Sequence, residues 1–449
     1  MRQPRMLLLA ATSILLAPVA LAPTLHAQAS TGVVALTHVT VIDGTGAAPR
    51  PDQTVLVQGG RITALYPSGS REAPDSARIE DLTGKWLIPG LIDAHVHITD
   101  ATVDMAQFRT LLHGLLLGGV TGLRDMAGDA RVLGFLAREA RLDTLPSPDI
   151  YYSALMAGPT FFYEDARVAA ASRGVMVGAA PWMRAVDATT DIPMAVAEAK
   201  GTGATGVKLY ANLPSALVQA ISAEAARQGL LVWTHATIFP ATPSDAVEAG
   251  ATSISHTPYL VWEAMRHVPV DYRSRAHGDY VHVKPDDPKI TALLERMKQR
   301  GTILDATLRV FQQEADHAPD RVGAGIMPWS YAVTREAHTM GVPVDAGTDS
   351  QGLTVGEHGP DVAAGPTVVD ELALLVQHCG FSPVEAIQAA TQVGAMAVGE
   401  AARRGTIAPG MAADLVVLGA DPTVDVRNVR KVVAVMKDGL VYRPETTGR

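Results

Sequence analysis

Residues 86–97 read Trp86-Leu87-Ile88-Pro89-Gly90-Leu91-Ile92-Asp93-Ala94-His95-Val96-His97, an apolar run that closes on two histidines one residue apart. Side chains alternate faces along a strand, so His95 and His97 project side by side from the strand end. Two neutral imidazoles presented together suit one metal ion of the zinc class. Satisfied or surface histidines are the bland reading of any such pair, and the company these two keep decides the matter.

On either side of that run the texture changes. Residues 33–87 read as short strands with tight turns, as in 39–42 before Asp43-Gly44 and 53–57 before Gly59-Gly60. The far end repeats the pattern at 414–418 and 431–436, before Asp438-Gly439. Both chain ends are therefore expected to build one small β-sandwich domain from 30–88 and 404–449.

The middle, 89–403, alternates strand and helix signals. Strands are expected at 120–125, 150–155, 207–210, 230–235, 253–256, 303–308 and 342–345, with helices such as 215–228, 290–300 and 368–379 between them. Counted from Leu91, this makes eight strands and predicts an α/β fold, a closed (β/α)8 barrel of the TIM type. An open doubly wound sheet is the alternative. No Gly-x-Gly-x-x-Gly follows a strand to support its dinucleotide-binding form. Two connections, 157–190 and 257–286, are long and aromatic, and after barrel strands such segments read as lids or substrate walls.

The first 29 residues stand apart. Arg2 and Arg5 precede an apolar stretch over 6–22 that Pro18 interrupts, and Ala27-Gln28-Ala29 offers a small-x-small cleavage pattern. A signal peptide over 1–29 is expected, with a mature chain beginning near Ser30, exported to the periplasm or beyond and free of the membrane thereafter. Loss of Arg2 and Arg5 takes the 37 basic residues to 35 against 46 acidic ones, a formal charge of −11. Such a surface repels phosphate backbones, which excludes nucleic acid as a partner. The single cysteine, Cys379, excludes an internal disulfide and reads as buried filler after a helical run. Composition is otherwise that of an ordinary globular chain, and a homo-oligomer stays open.

The chemistry lies in the polar residues that end the strands. In order they are His95 and His97, Lys208 in Gly206-Val207-Lys208-Leu209-Tyr210, His235, His256, and Asp349 in Gly347-Thr348-Asp349. A barrel gathers strand ends into one mouth, so these six would converge. Four imidazoles and a carboxylate suit one or two divalent ions. Lys208 is the odd member, because an ammonium beside a dication is repelled. Its deprotonated amine can instead take up carbon dioxide as a carbamate, a carboxylate in charge and shape.

At this point the chain resembles the amidohydrolase superfamily of metal-dependent hydrolases, in its imidazolonepropionase-like and prolidase-like branch of exported dipeptidases and related enzymes. The matching motifs are residues 89–97, Gly119-Val120-Thr121-Gly122-Leu123-Arg124-Asp125, Lys208, His235, His256, 347–349 and the closing run 405–416. The resemblance implies two divalent ions, with zinc the default. His95 and His97 with Asp349 would hold the more buried ion, His235 and His256 the more exposed one, and carboxylated Lys208 would bridge them around a hydroxide. Asp349 would carry the proton from attacking hydroxide to leaving amine.

Other roles are open. Tyr210 shares the inward face of Lys208 and is expected at the carbonyl or carboxylate end of a small-molecule substrate. Arg124 and Asp125 could orient ligands or form a structural pair, and Arg273 and Arg309 are more often solvated or structural than substrate-binding. The leading expectation is a binuclear hydrolase of an amide or peptide bond, in a dipeptide or N-acyl amino acid. A mononuclear deaminase or cyclic-amide hydrolase, which needs no carboxylated lysine, is the alternative. A non-catalytic binding protein is the reading from another class.

Overall fold

A computed structural model describes residues 32–99, 104–274, 278–319, 323–356 and 359–444. The expected signal segment lies outside them. Eight parallel strands follow one another: β1 Leu91–Val96, β2 Val120–Asp125, β3 Asp149–Ala157, β4 Gly206–Leu209, β5 Leu231–His235, β6 Ser253–Ser255, β7 Ile303–Asp305 and β8 Val344–Asp345. Each pairs with the next in register order. The ring closes where the Ala94 amide donates to the Ala346 carbonyl at 3.1 Å and Val96 bridges Ser350. The α/β barrel is thus closed, not open.

These strands form because they are covered on both faces, which favours continuous apolar runs. β1 and β2 are buried at every position. Helices cover the outside with one apolar stripe each. Ser215–Arg227 buries Val218, Ile221, Ser222 and Ala225, the spacing of a single helical face. Pro288–Arg300 buries Ile290, Leu293, Leu294 and Met297, starts from the Asp287 side chain and ends at Gly301 in the left-handed region.

Among the strands shorter than the sequence suggests, β6 and β7 break off for one reason. His256 has φ 79° and Thr307 φ 49°, so the chain leaves the sheet at Ser255 and Asp305. A left-handed residue cannot continue a strand, and a helix begins immediately, at Leu308.

The second sheet uses both chain ends. Val34–Val41 lies between antiparallel Arg50–Gln58 and, along its other edge, Arg78–Asp81 then Trp86–Pro89 in parallel. Trp86–Pro89 pairs onward with Leu415–Leu418, followed by Val432–Lys437 and Leu440–Tyr442. It has its own apolar cluster, including Val34, Val55, Ile62, Leu87, Leu415 and Met436. From Trp86–Pro89 the chain passes through Gly90 straight into β1. A Cβ at Gly90 would stand 2.1 Å from Thr121 Oγ1, so only glycine fits that crossing.

Where the sheet meets the N-terminal end of β3, four charges are buried together. Arg404 reaches Asp149 at 2.6 Å and Asp414 at 3.1 Å, and Lys437 Nζ lies 3.0 Å from Asp149. Cys379 is a buried free thiol in the barrel core. Among the described residues no helix is long and apolar enough to cross a membrane.

Candidate metal centre

All six residues singled out at strand ends lie at the C-terminal mouth of the barrel. His95 is sealed within it. Its Nδ1 sits 2.6 Å from Asp305 Oδ2, which leaves Nε2 facing Asp349 Oδ1 at 3.5 Å. His97 Nε2 approaches the same oxygen at 3.1 Å. His256 Nδ1 lies 3.7 Å from Asp349 Oδ2 and 2.9 Å from Thr307 Oγ1. His235 presents Nδ1 to the Thr237 carbonyl at 2.8 Å, so that nitrogen carries the proton and Nε2 keeps its lone pair. Its ring stands 4.7 Å from that of His256, and His256 stands 5.0 Å from His95.

Lys208 points inward below this ring and is 1% exposed. Its Nζ donates to Ser255 Oγ at 3.0 Å, and Ser255 donates to Asp305 Oδ2 at 2.7 Å. Tyr210, just past β4, packs 5.1 Å from His235 and 4.9 Å from Phe161. Tyr272 and Phe239 continue that aromatic wall. Both long connections contribute to it, Phe161 from the first and Tyr259 and Tyr272 from the second. The cavity beside His97 is lined by Met126, Leu155, Phe161, Arg167, Met183 and Tyr210 among others.

Burial governs the titration of the site. It pushes the Lys208 amine down to about 7, against the upward pull of Asp305, with Arg124 adding to the fall. Burial likewise lowers His95, and takes His256 to about 3, so both stay neutral with lone pairs available. Burial alone would raise Asp349, but His95, His97 and His256 outweigh it and hold the carboxyl well below its usual range. Burial raises Asp345 well above the usual range, reinforced by Asp305, and it takes Asp93 to about 7.

The donor set fits a divalent ion. Ligand atoms of His95, His256 and Asp349 all lie within 4.8 Å of one another. Asp305 and Asp349 are held as carboxylates while burial favours the neutral forms of Asp93, Asp345 and Lys208, which leaves Arg124 as the one fixed cation set against them among these residues. Buried negative charge in such excess is costly without a further cation.

Asp305 and Asp345 escaped sequence reasoning. Asp305 anchors His95, Ser255 and Arg124, and Asp345 stands 3.5 Å from the Arg124 guanidinium. Both end barrel strands, the signal that picked out the histidines. Arg124 is structural as well as central: it donates to Ala94 O and Ser253 Oγ and lies over the Trp233 ring. Asp125 accepts from the amides of Ile98 and Ala127. Asp93 receives the Thr348 amide and hydroxyl, tying β1 to the Asp349 turn. Gly347 is needed there, because a Cβ would stand 2.2 Å from Asp305 Oδ1. Arg309 is engaged 3.5 Å from Asp370 and away from the cluster.

Residues 86–441 match the amidohydrolase family. Ochratoxinase of Aspergillus niger is 26% identical over 404 residues, covering 80% of this chain and 75% of that protein. Its crystal structure superposes with a TM-score of 0.71 at 21% identity, over 93% of this chain and 97% of the other. Imidazolonepropionase of Rhizorhabdus wittichii is 26% identical over 403 residues, 83% of this chain and 90% of that protein. A putative prolidase from Bifidobacterium longum superposes at 0.66 with 25% identity, over 93% and 96% of the two chains.

Proposed function

This chain belongs to the amidohydrolase family, in its imidazolonepropionase- and prolidase-like branch, and from that premise we propose that it is an exported binuclear amide hydrolase. It is a hydrolase of carbon–nitrogen bonds in small molecules. The substrate proposed is a dipeptide or N-acyl amino acid. The observation that carries this reading is the convergence of His95, His97, His256 and the Asp349 carboxylate, with Lys208 buried behind them.

His95, His97, Lys208, His235, His256 and Asp349 would hold two divalent ions, with zinc the default. Ions bound there would lower the pKa of coordinated water towards about 7 and polarise the scissile carbonyl. The chain's own groups do the rest. Neutral His95 and His256 offer lone pairs because burial disfavours their protonated forms. Asp305 and the Thr237 carbonyl fix the ring orientations of His95 and His235. Lys208, with its amine eased towards the free base, would add carbon dioxide with loss of one proton and become an anionic ligand. Asp349, at the partly open mouth, would take a proton at its carboxylate and pass it to the departing nitrogen. Tyr210 would donate its phenol to the carbonyl or carboxylate end of the substrate. The wall of Phe161, Tyr210 and Tyr272 suits an apolar acyl or leaving group.

One observation favours a second reading, a mononuclear deaminase or cyclic-amide hydrolase: the tightest donor set among the described residues is the three-residue group His95, His256 and Asp349. Lys208→Ala separates the two. Under the binuclear reading native protein carries two metal equivalents, and the variant loses one of them and most activity, with short carboxylic acids restoring part of it. One equivalent in both proteins, with activity retained, establishes the mononuclear reading. A well-folded native sample that takes up no metal would point to a binding protein. Export is checked by mass spectrometry of secreted protein, expected to begin near Ser30.

A further inference from the structure

The helix Leu308–His317 begins at Thr307, a residue type whose side chain ordinarily caps a helix by accepting an amide two or three positions on. Here it does not. Thr307 makes no side-chain cap bond, and its Oγ1 is instead 2.9 Å from His256 Nδ1. The uncapped amides at the helix start are taken by a residue far along the chain. Glu371, in the first turn of Val368–His378, accepts Leu308 N at Oε1 (2.9 Å) and Arg309 N at Oε2 (2.7 Å). Glu371 is wholly buried. An acid of this kind is costly to enclose unless its oxygens are satisfied, and these two amides satisfy both.

The surroundings make the exchange consequential. His256 and Thr307 follow neighbouring strands, both in the left-handed region, and are held abreast by His256 N to Asp305 O at 2.8 Å and Thr257 N to Ala306 O at 3.2 Å. A threonine in that conformation is strained, and strain persists only where surrounding contacts impose it. The clamp on Leu308 and Arg309 is such a contact, one residue away.

We infer that Glu371 is a positioning residue for the metal centre: by capping the helix in place of Thr307, it releases the Thr307 hydroxyl to orient the His256 imidazole. This rests on the metal-centre reading above. The hydroxyl engages the ring at Nδ1, which also lies 3.7 Å from Asp349 Oδ2, and so fixes the orientation in which the imidazole meets an ion. Glu371 touches neither substrate nor ligand atoms, and acts through Thr307.

A double-mutant cycle on chelator-stripped full-length protein tests this, with zinc affinity and thermal midpoint read separately. Thr307→Val keeps the branched shape but removes the hydroxyl. It should weaken zinc binding by about 10- to 100-fold while lowering the stripped protein's midpoint only by the loss of the one bond to His256, since Thr307 caps nothing. Glu371→Gln turns an amide donor on one helix N–H, and should lower both midpoint and zinc affinity. In the Thr307→Val background, Glu371→Gln should still lower the midpoint but cost no further affinity. Thr307→Ser should restore native affinity.

Affinity losses that multiply in the double variant would overturn the inference, as would native affinity in Glu371→Gln. If Glu371→Gln does not fold, Thr307→Val decides alone: a lowered midpoint with unchanged zinc affinity returns Thr307 to ordinary capping. If the native protein binds no zinc, the metal reading falls instead. The coupling is then read from the His256 ring proton shifts, which both variants move if Glu371 acts through Thr307 and only Thr307→Val moves if it does not.

Discussion

The two ends of the barrel both bury acids, and they neutralise them differently. At the foot, Asp149 and Asp414 are met by Arg404 and Lys437, cations the chain supplies itself at 2.6 to 3.1 Å. Lys437 is held above its usual pKa there: burial alone would lower it, but Asp149 and Asp438 outweigh that. At the mouth the lysine is driven the other way, Lys208 to about 7, although Asp305, Asp349 and Asp345 pull it upward. A structural ion cluster balances its own charge. A cluster built to receive a cation leaves that balance to the ligand, and histidines kept neutral by burial mark the difference.

Metal removal should split the two ends most sharply. Chelation is expected to abolish turnover and lower the thermal midpoint, with both restored by zinc. Arg404→Met, by contrast, should lower the midpoint equally with and without chelator. Next comes Asp349→Asn, expected to reduce kcat by about 10²- to 10⁴-fold in a protein that still folds. A stopped assay at saturating metal checks it, and unchanged kcat would remove Asp349 from proton transfer.

At the foot, Arg404→Met strands Asp414 and half of Asp149's pairing in a buried site. Breaking a buried pair this way costs about 3–5 kcal/mol, read from urea unfolding, while activity per folded molecule stays native. The same region sets an acid limit. Burial alone would raise Asp149, but Lys437 and Arg404 outweigh it and hold the carboxyl below its usual value. Its contribution is therefore complete above the unfolded value near about 4 and is lost as pH falls through the folded one. The stability gap between native protein and Asp149→Asn should be constant at pH 6 to 7 and close below about pH 4. The smallest effect is expected at the rim: Tyr210→Phe should raise KM by about 2- to 10-fold, the worth of one neutral hydrogen bond.

Much of this was legible from residues alone. Barrel strands read clearly because burial on both faces makes them largely apolar up to their last two residues, where His95, His235 and Lys208 stand out. Asp305 and Asp345 end strands in the same manner, yet a lone aspartate after an apolar run is equally a turn residue. What distinguishes these two is Arg124 between them, a contact visible only once the ring is closed. Residues 303–308 look uniformly extended, but Thr307 turns left-handed just before two amides that Glu371 accepts. No local pattern announces a cap delivered from another helix. Residues 1–29 fall outside the described region, so the leader and its removal stay with the proposal.

The strand Trp86–Pro89 leads through Gly90 into the strand that carries His95, and one of its edges is completed only by Leu415–Leu418. During synthesis that edge waits until the entire barrel has been made. Open strand edges recruit wrong partners, and pairings so distant in sequence are slow to form. The stretch left open lies immediately before the strand that carries His95, and a chaperone that shields it until the last strands emerge would raise the yield of native protein.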